Sequence, residues 1–400
     1  MNPIPSAGLV LAATLTVQSL VAMSLLTLPV VAPAVAATLE ISAAYVGLYI
    51  ALAYAGAMTA SLLSGGAVRR FGAIRASQTG LLLCGVGVAV CTIESPIATA
   101  LGAVLVGLGY GPITPSSSHL LVRSTPAHRM SFVFSIKQTG VPLGGVLAGL
   151  IVPGLADLIG WQAAFLAVAA VSMLCAVAIQ PLCATLDADK DYTQRLSFGS
   201  GLAGPLRLVF SHRSLTVLAA VSFMFSIAQL SLSTYLVTFL HHDLLMGLVL
   251  AGFVLAVAQA AGVAGRLLWG YVADRYLGST NMLIVVALLI VLCAVITPFL
   301  GRIDSHVAVL IVVAVFGSCA VGWNGVYLAE VARQAPPGQT SMATAGTLSM
   351  TFMGVVVGPP LFGLIATALG SYGLAFASLV VPSGICLWLL WRYRTAFDAE

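Results

Sequence analysis

The stretch NMLIVVALLIVLCAVITPFL, residues 281–300, is twenty residues long and contains no charged side chain. A helix of about 20 apolar residues is long enough to cross the hydrocarbon core of a bilayer, which is roughly 30 Å thick. Such a helix also satisfies its own backbone hydrogen bonds, which lipid cannot do for it. The stretch therefore predicts a transmembrane helix.

The composition of the whole chain agrees with a membrane protein. Of its 400 residues, 60% are hydrophobic and 7% are charged, whereas soluble domains carry about 25% charged residues. The seven cysteines have unrelated spacings that give neither a disulfide framework nor a metal-ligand pattern. We therefore expect no metal and no other cofactor. The net charge of +4 requires no nucleic-acid partner, and the chain has no G-x-x-x-x-G-K phosphate-binding motif.

Apolar runs of similar length occupy most of the remaining sequence. Residues 1–7 have no basic segment typical of a cleaved signal, so the first run is predicted to be a retained span. The sequence predicts an all-α membrane protein with a six-helix half at 1–183, a cytoplasmic linker at 184–213 and a second six-helix half at 214–400. The twelve predicted spans are 8–33, 42–64, 77–93, 97–122, 131–155, 162–183, 214–240, 247–272, 281–300, 306–329, 341–369 and 372–391.

Charged residues between the spans predict their orientation. When the N-terminus is placed in the cytoplasm, thirteen basic residues fall inside and only Arg302 falls in an outside loop. This asymmetry follows the positive-inside rule and predicts a bacterial-type inner-membrane protein with both termini in the cytoplasm. The inside residues are Arg69, Arg70, Arg75, Arg123, Arg129, Lys190, Arg195, Arg207, Arg213, Arg275, Arg333, Arg392 and Arg394. Five of the six outside loops receive one acid each, namely Glu40, Glu94, Asp157, Asp243 and Asp304.

The two predicted halves contain related sequences. GGAVRRF at 65–71 follows span 2, and GYVADRY at 270–276 follows span 8, 205 positions later. RSTP at 123–126 follows span 4, and RQAP at 333–336 follows span 10, 210 positions later. Two similar six-span halves joined by a cytoplasmic loop are typical of transporters, whose substrates bind at the interface of the halves near the bilayer midplane.

These motifs resemble those of the major facilitator superfamily over the whole chain. Its loop signature G-x-x-x-D-R-x-G is nearly met in the second half, while the first-half copy has Arg69 where the family has Asp. GVPLGG at 140–145 resembles the glycine-proline motif of span 5, and GPPLFG at 358–363 lies in span 11. The resemblance implies alternating access by rocking of the two halves, and we expect a monomer. The residues that it assigns to gating are Gly65, Arg70, Gly72, Gly270, Asp274, Arg275, Gly140, Pro142, Gly144, Gly145, Gly358 and Pro359.

Two basic residues lie inside predicted spans, Lys137 in span 5 and Arg266 in span 8, and no Asp or Glu lies deep in any span. An ionisable side chain at the centre of a span costs about 2.5–3.5 kcal/mol on insertion scales and is a functional candidate by default. Arginine offers a fork that matches a carboxylate, and lysine offers a movable point charge. We interpret both residues as binding an anionic substrate.

A structural interpretation of the two cations is the alternative. Lys137 lies about six residues from the cytoplasmic end of span 5 and could extend to the headgroups. Arg266 precedes Asp274 by eight residues and could belong to the gate. In the internal repeat, however, Arg266 corresponds to Ser61 and Lys137 to Thr347. Neither charge recurs in the other half, which favours the substrate role.

The segment RLLWGYVAD at 266–274 resembles span 8 of the monocarboxylate porter and oxalate–formate exchanger branch. The resemblance implies that Arg266 binds a substrate carboxylate. Gly262 stands where some monocarboxylate porters have an Asp, so their proton-relay pair is not carried over.

Other polar residues inside spans are candidates for the wall of the substrate site or for helix packing, since both use the same residue types. Gln18 and Gln229 lie in spans 1 and 7, and His119 lies near the cytoplasmic end of span 4, where it could titrate or form a structural hydrogen bond. The candidate wall residues are Gln259, Tyr54, Trp323 and Asn324.

The favoured function is a secondary transporter, not an enzyme, for a small organic anion. The coupling would use a proton, carried by the substrate carboxyl or His119, or a counter-anion. The alternative is a proton-driven drug or metabolite exporter, although the arginine and buried acids usual in such relatives are absent from span 4. QPLCAT at 180–185 lacks the signature of sugar porters. A membrane sensor or enzyme is disfavoured because no extramembrane domain or nucleophile–base pattern is evident.

Overall fold

The computed structural model describes residues 6–125, 130–193, 203–303, 305–337 and 339–399. These residues form helices and no strand, and twelve helical segments are long and apolar enough to cross a bilayer. The predicted all-α membrane architecture is confirmed. Among residues used above, Pro126, Arg129, Arg195 and Asp304 lie outside the described ranges, as does part of the predicted linker. The spans are Ala7–Thr38, Ala43–Ser61, Ala73–Val90, Pro96–Ser124, Ile136–Ile159, Trp161–Leu186, Arg213–His242, Leu248–Leu277, Ser279–Arg302, His306–Gln334, Met342–Leu369 and Tyr372–Arg394.

Spans 4, 5 and 10 each contain a break between two helical segments. Span 4 consists of Pro96–Tyr110 and Ile113–Ser124, and span 10 consists of His306–Ala320 and Asn324–Gln334. Span 5 is broken at Thr139, between Met130–Gln138 and Gly140–Ile159. A proline has no N–H to donate, so Pro112 and Pro142 each remove a helical hydrogen bond at these breaks. The breaks place helix ends, with their polar backbone groups, at membrane depth.

The chain divides into two compact units. The first comprises residues 1–41 and 52–199, and the second comprises 42–51 and 200–400. Residues 42–51 pack with the second unit, where the Tyr235 hydroxyl donates a hydrogen bond to the Ala44 carbonyl at 2.7 Å. Within the first unit span 1 packs on span 5 and span 3 on span 6; within the second, span 7 packs on span 11 and span 9 on span 12. The packing thus repeats, as the related sequences of the two halves predict.

Spans 1 and 5 approach closely because span 5 carries glycines along their contact. A Cβ atom at Gly140 would lie 2.9 Å from Cβ of Gln18, and one at Gly144 would collide with the backbone carbonyl of Ser19. Small residues allow such backbone approach in membrane helices. The contact brings Gln18 of span 1 beside the part of span 5 that carries Lys137.

A strap formed by residues 187–191 follows span 6 and binds the ends of other spans in the first unit. The Asp187 carboxylate accepts hydrogen bonds from the backbone N–H groups of Ile74 (2.8 Å) and Arg75 (3.0 Å) at the start of span 3. The N-cap of that helix is Gly72, which has φ +102° and no side chain to serve as acceptor. Asp187 therefore caps the helix from a distant part of the chain, next to the loop in which Arg69 replaces the expected Asp.

The strap also binds His119. Its Nε2 lies 2.7 Å from Asp189, and Nη1 of Arg123 lies 2.6 Å from the same carboxylate. Partial burial raises the pKa of Asp189, but the hydrogen bond of His119 and the charge of Arg123 outweigh it and lower that pKa. The stabilisation by this carboxylate is therefore present above the ordinary pKa of Asp and is lost as the pH falls through the lowered value. The geometry gives His119 the structural hydrogen bond considered above.

We expect Asp187→Ala to destabilise the protein by about 1–2 kcal/mol, because two N–H groups at the start of span 3 lose their acceptor. Thermal unfolding of the detergent-solubilised protein measures the effect. Asp157→Ala, which removes an exposed carboxylate at the end of span 5, is the matched control. Equal melting temperatures for the two variants would contradict the capping role.

Candidate functional site

Lys137 is buried inside the first unit, with 1% of its surface exposed. Its Nζ donates to the Thr114 hydroxyl at 3.3 Å and to the Gln138 side-chain oxygen at 3.4 Å. Lys137 also lies in the last turn of Met130–Gln138, where the helix carbonyls favour a positive charge. The buried ammonium group is thus positioned by a hydroxyl and an amide oxygen, and its charge can attract an anion.

Thr114 links Lys137 to span 1. Its hydroxyl lies 3.3 Å from Oε1 of Gln18, which is fully buried. The lysine ammonium group can only donate hydrogen bonds, so the Thr114 oxygen accepts one from Lys137. The hydroxyl hydrogen of Thr114 is then donated to the amide oxygen of Gln18. Thr114 itself is exposed. We call Gln18, Thr114, Lys137 and Gln138 the Lys137 cluster; it reaches from the buried contact of spans 1 and 5 to an accessible surface.

A second polar cluster lies in the second unit around the break in span 10. Nε of Arg266 donates to the Val321 carbonyl at 3.1 Å. Nδ2 of Asn324 lies 3.5 Å from the same carbonyl and 3.3 Å from Oε1 of Gln229. The Trp323 indole N–H donates to that Gln229 oxygen at 3.0 Å. The break therefore brings together three of the predicted site residues; we call these five residues the Arg266 cluster.

The close packing of spans 8 and 10 leaves no room for an acidic side chain at Gly262, four residues before Arg266. A Cβ atom at Gly262 would lie 2.6 Å from Cβ of Val321, and one at Gly265 would collide with the carbonyl of Ser318. Spans 8 and 10 are packed too closely for a side chain at Gly262. The position that carries an Asp in some monocarboxylate porters cannot carry one in this packing.

Within the Arg266 cluster, Trp323 is fully buried, with its ring 5.2 Å from those of Phe225 and Tyr327. The remaining wall candidates, Gln259 and Tyr54, lie elsewhere. Gln259 donates to Ser233 at 3.0 Å and so joins spans 7 and 8 rather than the Arg266 cluster. Tyr54 lies in the first unit with its ring 5.9 Å from that of Tyr110.

The residues predicted to act in gating have varied surroundings. Asp274 and Arg275 are exposed in the π-helical turn Ala273–Leu277, and neither forms an ion pair with the described part of the chain. The Pro359 carbonyl lies 2.9 Å from the Tyr235 hydroxyl. Gly65 and Arg70 lie in the helix Val46–Phe71, and Gly270 lies in the helix Leu248–Val272. Gly72 lies beside Asp187, and Gly358 packs against Ile227. The helix Gly140–Ile159 contains Gly140, Pro142, Gly144 and Gly145. Their gating roles stay predictions.

Thr114 and Gln138 join the site although the sequence reasoning did not select them. Thr114 lies two residues after Pro112, and a proline in the middle of a predicted span indicates a break and an exposed polar turn. Gln138 is adjacent to Lys137 in the sequence but is recognised as a partner only from the contact of the two side chains.

Several known proteins are similar to this chain. The benzoate transport protein of Acinetobacter baylyi is 24% identical over 334 residues, which cover 74% of this chain and 69% of that protein. The transcription regulatory protein OpdE of Pseudomonas aeruginosa is 28% identical over 283 residues, or 70% of this chain and 67% of that protein.

Solved structures show the same fold at low identity. A bacterial homologue of the human lysosomal transporter Spinster matches with a TM-score of 0.79 at 16% identity, covering 98% of both chains. The nucleoside transporter NupG matches with a TM-score of 0.75 at 16% identity, and the match covers 97% of this chain and 99% of the NupG chain. The sequence profile of the Major Facilitator Superfamily matches residues 14–345, well over half of the chain. The chain is therefore a multi-pass membrane protein that belongs to the Major Facilitator Superfamily.

Proposed function

We propose that the protein is a secondary transporter that moves a small organic anion, of the carboxylate class, across the bacterial inner membrane by alternating access, with both termini in the cytoplasm. The observation that carries the proposal is Lys137. Its ammonium group is buried and donates to Thr114, which is exposed, and the predicted span 131–155 that carries it contains no acid. A bound anionic substrate would offset the desolvation free energy of this buried charge.

Arg266 supplies a second cation in the second unit. Its Nε hydrogen bond to the Val321 carbonyl anchors one edge of the guanidinium group. The guanidinium carries further N–H donors in a fixed fork that matches a carboxylate. The similarity to a benzoate transport protein also supports a carboxylate substrate. The buried acid of span 10, Glu330, forms an ion pair with Arg333 at 2.9 Å. With that acid already paired, the coupling proton would travel on the substrate carboxyl, or a counter-anion would exchange for it.

Counterflow into proteoliposomes tests this function. Vesicles preloaded with one unlabelled compound are mixed with the same compound in labelled form at low concentration. The panel is benzoate, lactate and oxalate as anions, glucose as a neutral sugar and ethidium as a cationic drug. We expect at least one carboxylate to accumulate transiently above protein-free vesicles. Exchange of ethidium without any carboxylate would overturn the proposal in favour of the drug exporter.

A further inference from the structure

In the part of the chain that the structure describes, the side-chain amide nitrogen of Gln18 is buried and has no hydrogen-bond acceptor. We propose that Gln18 determines specificity at the Lys137 cluster: its amide nitrogen donates a hydrogen bond to one oxygen of the substrate carboxylate while Lys137 binds the other. This inference rests on the proposed function and adds to it a residue of span 1 that recognises the shape of the carboxylate.

The first observation is a buried donor without an acceptor. Gln18 is fully buried, and its Nε2 has no hydrogen-bond partner among the residues that the structure describes. The Thr114 hydroxyl donates its hydrogen to the Gln18 side chain, and only the amide oxygen can accept it. The atom without a partner is therefore the amide nitrogen, Nε2. Buried polar groups in proteins nearly always have partners, so a donor left open inside a polar cluster points to a ligand.

The second observation is that both donor side chains contact the same hydroxyl, that of Thr114. Nζ of Lys137 and Oε1 of Gln18 each lie 3.3 Å from the Thr114 hydroxyl, and Nε2 shares a carbon with Oε1. Both N–H donors therefore lie beside Thr114, which is the exposed member of the cluster. A carboxylate has two acceptor oxygens on one carbon and can bind both donors at once. A neutral amide ligand has one oxygen and no charge.

The backbone fixes this arrangement. Gly140 leaves room for the Gln18 side chain, since a Cβ atom there would lie 2.9 Å from both Cβ and Cγ of Gln18. Gly140 follows Lys137 by three residues in the same span. The contact that positions Gln18 therefore lies close in sequence to the residue that carries the cation.

Gln18→Met tests the inference, because methionine matches the length of glutamine but cannot donate. The dissociation constants of benzoate, lactate and oxalate are measured by titration calorimetry on the detergent-purified protein, together with the melting temperature without ligand. We expect the variant to bind the carboxylates about 10- to 100-fold more weakly, as for the loss of one hydrogen bond to a charged group. Its melting temperature should be unchanged or higher, since an unsatisfied donor has been removed.

Gln78→Met is the matched control. Gln78 is a buried glutamine of the same unit, and its Nε2 already donates to the Ala176 carbonyl at 2.7 Å. This control should melt at a lower temperature and bind carboxylates as the wild type does.

The outcomes separate this inference from the function on which it rests. Wild-type affinity in Gln18→Met, with weakened binding in a Lys137 variant, would overturn the role of Gln18 alone. If the wild-type protein binds none of the three carboxylates, the proposed function fails and the inference fails with it. Should Gln18→Met not fold, Gln18→Asn keeps the amide but withdraws it by one methylene. The same loss of affinity is expected for it, and wild-type affinity would again overturn the inference.

Discussion

Replacing Lys137 by methionine is expected to lower carboxylate counterflow by about 100-fold, because the substrate loses its charged hydrogen-bond partner. The folded state should be at least as stable as in the wild type, since the ammonium group is buried and removal of a buried charge relieves its desolvation cost. The measurement compares initial counterflow rates at equal protein density in the vesicles, with melting temperatures determined in detergent.

Lys190→Met provides the matched control for that variant. Lys190 is the only other lysine in the chain and is exposed in the strap after span 6. It should transport as the wild type does. Wild-type rates in Lys137→Met would show that Lys137 is a structural cation and would remove the main support for an anionic substrate.

Replacing Arg266 by alanine is expected to abolish carboxylate transport while the protein still folds. Loss of the hydrogen bond from the charged guanidinium to the Val321 carbonyl should cost about 1.5–3 kcal/mol of stability. Arg266→Lys keeps the charge but not the fork, so its rates should lie between those of the wild type and the alanine variant. Counterflow and calorimetric affinity, measured on both variants, give the comparison.

The lysine variant separates the two interpretations of Arg266. If the arginine serves only to hold the break in span 10, both variants will melt at lower temperature and bind carboxylates as the wild type does. Arg302→Ala, which changes the one basic residue predicted to lie in an outside loop, controls for the loss of a positive charge from the protein. It should leave affinity and rate unchanged.

The spans could be predicted because membrane insertion depends on the apolar content of each segment, which is local in sequence. Every predicted boundary lies within five residues of the observed one. Span 10 runs to Gln334, five residues beyond its predicted end. Its extension, EVARQ at 330–334, contains polar residues that can lie in the headgroup region. Such residues carry no hydropathy signal for helix or loop.

The contacts of the site could not be predicted because they depend on residues far apart in sequence. Asp187 caps a helix that begins at Ala73, and nothing near Gly72 indicates that the acceptor comes from beyond span 6. Gln18 was found in span 1 from sequence, but its open donor becomes evident only when Thr114 occupies its oxygen. By contrast, Lys137 and Arg266 could be selected from sequence alone. A charged residue within an apolar run is unusual, and it can be recognised without knowing how the helices pack.

The central claim, that an anionic group binds at Lys137, is tested most directly by thermal unfolding with paired ligands. Benzoate and benzamide have nearly the same shape and differ in charge. At about 100 times its dissociation constant, a ligand stabilises the folded state by roughly 2.7 kcal/mol. Stabilisation of the wild-type protein by benzoate but not benzamide, and its loss in Lys137→Met, is the predicted result. Equal stabilisation by the two ligands, or an undiminished effect of benzoate in Lys137→Met, would contradict the claim.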